Sequence, residues 1–390
     1  MIVPTEFVAL TDAPPYATGE MRLKGGLKRT AFYPVIGRFA RQYKLHNSYL
    51  KPDFITDPLA EYWATRTVAG LWDVTGEEPI EIAGAGALAV MNELVPRDLA
   101  RLADGRCLYA IMCYDHGGIV EDGVLVRFGP ERFWWVGGPA HAEAWIYARA
   151  VGLDVRVTSL LDEIHVASIQ GPRSREILQR VAADDLSRVP YFGMAETTVC
   201  GTPVVLTRTG YTGELGFDIY VEVARAAAMF EGLWRAGRAD GLELAGSQAL
   251  NLRRVEAGIL NVGQDFDWRH NPYEVGLGRM VDLAKPSFVG REALARIKQA
   301  GTRRTIAGLR LAGTTVAAQG DWVLASGRRI GRVTSAVWGP TVEASIAMAF
   351  VDAEAATVGA ALTIEHDGAG VSAEAVPLPF LDPERTLSRA

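Results

Sequence analysis

Near residue 300 the chain stops spelling helices, and this change of texture constrains the fold more than any other feature. From Arg304 onward there are only short β-type runs, at 305–311, 322–324, 332–337, 345–350 and 361–365, with turn residues at close spacing between them. Such a pattern describes a small all-β domain or barrel. Before it, strand and helix signals interleave. Residues 58–66, 87–94, 141–151, 174–181 and 224–238 read as helices, and a further helix runs to Ala257 with Ser247 as N-cap and Gly258 as its stop. Strand signals fall at 70–74, 79–82, 108–112, 124–128, 133–136, 165–170, 202–207 and 217–221. Gly129-Pro130-Glu131-Arg132 joins two of them as a hairpin. This alternation predicts α+β layers rather than a doubly wound parallel sheet. The expected division is residues 1–290, a helical linker at 291–303 and a β-domain at 304–390.

Composition narrows the function. A chain of 390 residues with 49% hydrophobic content can bury substantial cores. Its net charge of -6 argues against nucleic acid as a partner, because phosphate neutralisation needs clustered Lys and Arg. No run approaches the roughly 18 apolar residues of a membrane helix. Cys107, Cys113 and Cys200 form no C-x-x-C pair, which fits a reducing compartment, so a soluble cytoplasmic protein is expected. The six histidines are scattered without a helical pair or a Cys/His cluster, so no metal site is expected. Gly84-Ala85-Gly86-Ala87-Leu88-Ala89 mimics a dinucleotide fingerprint, but the preceding strand carries Glu81 and neighbouring βαβ units are missing, so a helix entry is the better reading.

Chemistry concentrates in two glycine-rich turns. Asp115-His116-Gly117-Gly118-Ile119-Val120-Glu121-Asp122 and Gly210-Tyr211-Thr212-Gly213-Glu214-Leu215-Gly216-Phe217-Asp218 each lead into a strand-like run with a carboxylate among apolar neighbours. A carboxylate so placed costs free energy unless it is hydrogen-bonded or faces a cleft. Strand alternation sends Glu121 and Asp122 to opposite sides, one toward solvent and one toward a cleft. Asp218 points away from the face of Phe217 and Ile219. Alone it reads as a solvent-facing residue, yet a carboxylate also suits the adjacent amino and N–H groups of a pterin ring.

Together these turns resemble the folate-handling signature of the aminomethyltransferase family, whose best-known member is the glycine-cleavage T-protein. Further matching runs are Ile169-Gln170-Gly171-Pro172, Arg254-Val255-Glu256-Ala257-Gly258, Asn271-Pro272-Tyr273-Glu274-Val275-Gly276-Leu277-Gly278, Phe288-Val289-Gly290-Arg291-Glu292, Ile330-Gly331-Arg332-Val333-Thr334-Ser335 and Pro379-Phe380-Leu381-Asp382-Pro383. The resemblance implies two antiparallel-sheet, ferredoxin-like lobes around a folate cleft, plus a C-terminal β-barrel. It implies tetrahydrofolate as cofactor, Asp122 as the catalytic carboxylate, and Asp218, Tyr211, Gly118 and Arg254 as cofactor-binding residues. Tyr114, His116 and Trp135, with Trp134 and Tyr211, are candidates for the walls of the donor site.

The departures matter as well. Glycine-cleavage enzymes carry Asp-Val-Ser-His where this chain has Asp73-Val74-Thr75-Gly76, and an Arg-Asp pair where it has Leu250-Asn251. Losing a cation and a carboxylate implies a different one-carbon donor, and the chain resembles the family's demethylases more closely. Direct transfer of a methyl group from a small O-, S- or N-methyl donor to tetrahydrofolate is the expected reaction. An aminomethyl transferase working with a lipoyl carrier and a non-catalytic folate-binding protein are the alternatives. The latter's Cys-containing signature is absent at 285–292.

Overall fold

The computed structural model describes residues 27–138 and 141–390. One sheet has the order Arg106–Cys113, Ile119–Gly129, Arg132–Gly137, Glu78–Ala83, Arg156–Ser159, and every neighbouring pair is antiparallel. A second has the order Met194–Val199, Thr202–Thr207, Gly216–Glu222, Ile164–Gln170, Ala69–Asp73, Leu242–Ala245, and its last pair is parallel. Helices Ala87–Leu94 and Ala142–Ala150 cover the outer face of the first sheet through Val90, Met91, Leu94 and Ile146. Helices Ser174–Gln179 and Val223–Gly237 cover the second through Ile177, Leu178, Met229 and Phe230. The uncovered faces meet each other. Val126, Trp134 and Val136 of the first sheet pack with Trp72, Val166 and Tyr220 of the second. The protein is thus α+β, with two sheet lobes sharing a central seam.

A six-stranded closed barrel follows, in the order Arg304–Leu311, Ala344–Asp352, Arg328–Gly339, Trp322–Ala325, Ala361–His366, Ala369–Val376. The last strand closes it by pairing with the first. The helix Arg291–Ala300 precedes the barrel, and its Leu294 joins Ile111, Ile119, Val255, Ile346 and Met348 in one core. That core binds the barrel to the first lobe and to helix Ser247–Glu256.

Ser247 is not the N-cap of that helix but its first residue, preceded by Gly246. The reason is close approach. A Cβ at Gly246 would lie 2.5 Å from the Asp53 carbonyl oxygen, while its N–H donates to the buried Glu61 carboxylate at 2.8 Å. Gly84 and Gly86, the dinucleotide mimic, seat the helix entry against the backbone of Asp154: the Gly86 N–H donates to its carbonyl at 2.9 Å. Among the described residues no helix is long and apolar enough to cross a membrane, and no cluster of potential metal ligands occurs.

Candidate active site

Strand parity decides which side chains reach the seam. In the first sheet Asp122 lies two residues from Val124 and four from Val126, and Ile111 opposes it, so it shares the seam-facing side. Glu121 points the other way. It does not reach solvent; it is 1% exposed beneath helix Ala142–Ala150, accepting from the Ala142 N–H at 3.2 Å. Burial first, and then the charge of Asp122, push its carboxyl up to about 8. The same parity separates the tryptophans. Trp134 faces the seam, 5.7 Å from the Tyr220 ring. Trp135 lies in the helix-covered core at 0% exposure and lines no cleft.

Asp122 is half-buried, and its Oδ2 accepts from the Tyr109 hydroxyl at 2.7 Å. Desolvation raises its carboxyl to about 6, against the lowering effect of that hydrogen bond. Its carboxylate can therefore take up a proton near neutral pH, as a general base must. Burial likewise raises the phenols of Tyr109 and Tyr211, keeping both protonated. The Tyr211 hydroxyl donates to Leu260 O at 2.5 Å.

In the second sheet Asp218 opposes both Ser168 and Thr207 and shares the seam face with Tyr220. It is not solvent-facing: it is 6% exposed, and both oxygens are engaged, by the Ser168 and Thr209 hydroxyls, each at 2.6 Å. Gln170 organises this corner. Its amide donates to Ser168 Oγ and Thr209 O at 3.0 Å and accepts from Thr212 Oγ1 at 2.8 Å. A Cβ at Gly210 or Gly216 would overlap that amide. The runs Ile169–Pro172 and Gly210–Asp218 are thus one device, in which two glycines make room for a glutamine that holds the Ser168 hydroxyl and the Thr209 backbone, the two residues whose hydroxyls donate to Asp218.

Gly118 plays a similar part in the first lobe, where a Cβ would overlap the Trp268 carbonyl. The adjacent Ile119 N–H donates to His270 O at 2.9 Å. His116 stacks on Tyr114 at 5.6 Å and lies beside Trp268 at 6.3 Å, so these rings form an outer aromatic cluster at the turn. Arg254 is 1% exposed and fully engaged, with Asn251 Oδ1 at 2.9 Å, Ile259 O at 3.2 Å, Asp265 Oδ2 at 2.5 Å and Ser335 Oγ at 2.8 Å. Asp265 also accepts from Thr334 and Ser335 at 2.6 Å. Arg254 therefore ties the cleft to the barrel.

Sequence reading left His46, Lys51 and Glu77 unassigned. The hairpin Gln42–His46/Tyr49–Phe54 lays His46 and Lys51 against the turn after Asp73. A Cβ at Gly76 would lie 2.5 Å from His46 Cδ2, so the glycine in Asp73–Gly76 makes room for a histidine from elsewhere. Burial, reinforced by Lys51 and Lys44, lowers the imidazole to about 3 and keeps it neutral. Glu77 follows that turn. The only sequence signal for these positions was the departure at Gly76. An open groove of about 660 Å³ near Asn92, Arg149 and Arg291 lies apart from Asp122 and Asp218.

Asp122 and Asp218 thus lie on the seam-facing sides of two packed sheets, with a barrel attached to the first lobe. The GCVT N-terminal domain family matches residues 17–285, and the glycine cleavage T-protein C-terminal barrel domain family matches 304–382. An aminomethyltransferase of Symbiobacterium thermophilum is 36% identical over 91% of this chain and 97% of its own length. A trimethylamine-oxide aldolase of Ruegeria pomeroyi is 34% identical over 93% of this chain; the chain spans about half of that relative, 48%. The crystal structure of glycine cleavage system aminomethyltransferase T from Bartonella henselae superimposes with a TM-score of 0.85 at 26% identity, covering 91% of this chain and 98% of that one. The chain belongs to the aminomethyltransferase (glycine-cleavage T-protein) family, a family of folate-dependent transferases.

Proposed function

We propose that the protein is a tetrahydrofolate-dependent methyltransferase acting as a demethylase, with a small O-, S- or N-methyl compound as donor and the cytoplasm as its compartment. The observation that carries this reading is Asp122: a seam-facing carboxylate, reachable from the cleft, oriented by one tyrosine hydroxyl and titrating near neutral pH. When bound, tetrahydrofolate supplies the nitrogen nucleophile that receives the methyl group. The residues fit it, because its ring N–H and amino groups are donors and the cleft offers carboxylate acceptors. Asp122 would accept the proton that this nitrogen gives up and, with an ether or amine donor, pass it to the departing oxygen or nitrogen. A sulfonium donor instead leaves as a neutral thioether. The Tyr109 hydroxyl holds the carboxylate in place. Asp218 sets the negative potential at the far end of the cleft, where the pterin would lie.

Gly76, Leu250 and Asn251 support a methyl rather than an aminomethyl donor. Leu250 packs against the seam cluster and Asn251 is committed to Arg254, so neither offers the charge that glycine-cleavage enzymes carry there. Kinship with a protein named trimethylamine-oxide aldolase points the same way. The test is to incubate the protein anaerobically with tetrahydrofolate and a panel of methyl ethers, sulfonium compounds and methylamines, and to analyse the folate products. Methyl-tetrahydrofolate from at least one donor is expected. Methylene-tetrahydrofolate, formed only with an aminomethyl-loaded carrier protein, would contradict the demethylase reading.

A further inference from the structure

After its last barrel strand, Ala369–Val376, the chain crosses to the second lobe. The Leu381 N–H donates to the Glu256 carbonyl at 2.9 Å, which fixes the start of the crossing at the end of helix Ser247–Glu256. Asp382 then folds the segment into a turn, its carboxylate accepting from the Thr386 N–H at 3.0 Å and the Leu387 N–H at 2.8 Å. Beyond the short helix Thr386–Arg389 the backbone meets two arginines. Arg208 donates to the Arg389 carbonyl at 2.9 Å and to that of Ala390, and Arg175 donates to Ala390 O at 2.7 Å. This strap packs on the turn Thr212-Gly213, with a cavity of about 10 Å³ between them that Arg253, Ala257, Leu381 and Leu387 also line. It therefore backs the glycine-rich turn that leads to Asp218.

Arg208 links the strap to the cleft. It stands between Thr207 and Thr209, whose hydroxyls bond each other at 2.6 Å, while Thr209 Oγ1 also donates to Asp218 at 2.6 Å. The two threonines share one side of the chain, so Arg208 takes the other. Its guanidinium is 7% exposed. The acceptors it has are backbone carbonyls, those of Arg389 and Ala390 and, at 3.4 Å, that of Val189, and its Nε has no partner. A buried cation so thinly supplied is costly to strand. Without the strap it would keep one long bond of three and turn toward water, and the Thr207–Thr209 backbone would shift with it.

We propose that Arg208 is a positioning residue for the Asp218 corner and that the strap, residues 381–390, holds it in place. Affinity for the pterin then depends on a segment behind the strand end that carries Thr209. The guanidinium acts through the backbone of the Thr207–Thr209 step, which sets where the Thr209 hydroxyl meets Asp218. This assignment rests on the folate reading and gives the run Pro379–Pro383 a task, that of launching the strap.

The test is anaerobic titration with tetrahydrofolate, with a reduced pterin lacking the benzoylglutamate tail, and with p-aminobenzoylglutamate. Wild type is compared with Arg208→Gln, Arg208→Lys, a chain stopped after Pro383, and that truncation combined with Arg208→Gln. Melting temperatures are measured alongside to confirm folding. Arg208→Gln and the truncation are each expected to weaken tetrahydrofolate and the pterin fragment by about 5- to 50-fold and to leave the tail fragment unaffected. Combining them should weaken binding no further, because both break one link. Arg208→Lys keeps a cationic donor for the strap carbonyls and should retain most of the affinity. Wild-type affinity for the pterin fragment in folded Arg208→Gln would overturn this assignment, as would additive losses or equal weakening of the tail fragment. Arg208→Gln leaves the strap in the chain, so it decides the matter even if the truncated chain does not fold. Failure of the wild type to bind tetrahydrofolate would instead remove the folate reading itself.

Discussion

Asp122 and Asp218 make an instructive pair. Each follows a glycine-rich turn, lies on a strand of an antiparallel sheet and faces the seam between the lobes. Asp122 accepts a single side-chain hydrogen bond, from Tyr109, and stays reachable. Asp218 accepts from two hydroxyls, one of which, Ser168 Oγ, also accepts from Gln170, and is almost closed off. The same motif logic thus produces a carboxylate free to exchange a proton and a carboxylate fixed as part of the scaffold. What separates them is the local supply of hydroxyl donors, not strand position.

The comparison can be broken at several points, and the largest effect is expected at Asp122. Asp122→Asn removes the proton acceptor while keeping the shape, and methyl transfer should fall by about 10²–10⁴-fold with tetrahydrofolate affinity and melting temperature nearly unchanged. Wild-type turnover would remove Asp122 from the chemistry. Asp218→Ala should behave differently, because it strands the Ser168 and Thr209 hydroxyls. Folding stability should drop by ~1–3 kcal/mol together with folate affinity, as denaturant unfolding and titration would show. An affinity loss without a stability loss would mean that Asp218 touches the ligand itself. Gln170→Ala should reproduce the stability loss of Asp218→Ala, and little added effect in the double variant would confirm one shared network.

Two pH effects follow, with opposite signs. Asp122 acts as its carboxylate, so the transfer rate should rise with pH through about 6 and then level off. A rate that falls over that interval would contradict its role as base. Glu121 is an acid whose folded value, about 8, lies above its ordinary one. Such a group favours the folded state fully at low pH, and that contribution declines as pH rises from about 4.5 toward 8. Glu121→Gln mimics the neutral form, so its melting temperature should gain on the wild type as pH increases. A constant gap between pH 5 and 9 would show that Glu121 is not held neutral.

Much of the fold was legible because its strands and helices carry strong patterns. The strand Thr202–Thr207 and the helix Ala87–Leu94 fall where their residues predict. The barrel's last strand, Ala369–Val376, was not read, since Ala, Gly, Ser and Glu give it little β signature and pairing with two neighbours sets its conformation instead. Leu242–Ala245 was missed because four residues are too short to show a period. The motif singled out Asp122, and the structure turns it toward the seam. Its distinction from Glu121 was only half legible, because parity predicts opposite faces but does not say that a helix covers one of them. Trp135 was misplaced for the same reason. Lys51 and His46 were illegible, since a hairpin far away in sequence brings them to the Asp73–Glu77 turn. Cytoplasmic location and the absence of a nucleic-acid or membrane partner rest on composition alone.

The most direct measurement is an anaerobic calorimetric titration of the wild-type protein with tetrahydrofolate. Micromolar-range binding is expected, about -8 kcal/mol, retained in Asp122→Asn and weakened in Asp218→Ala. A well-folded protein that releases no heat and binds no tetrahydrofolate would contradict the assignment of the seam as a folate cleft, and with it the proposed transferase.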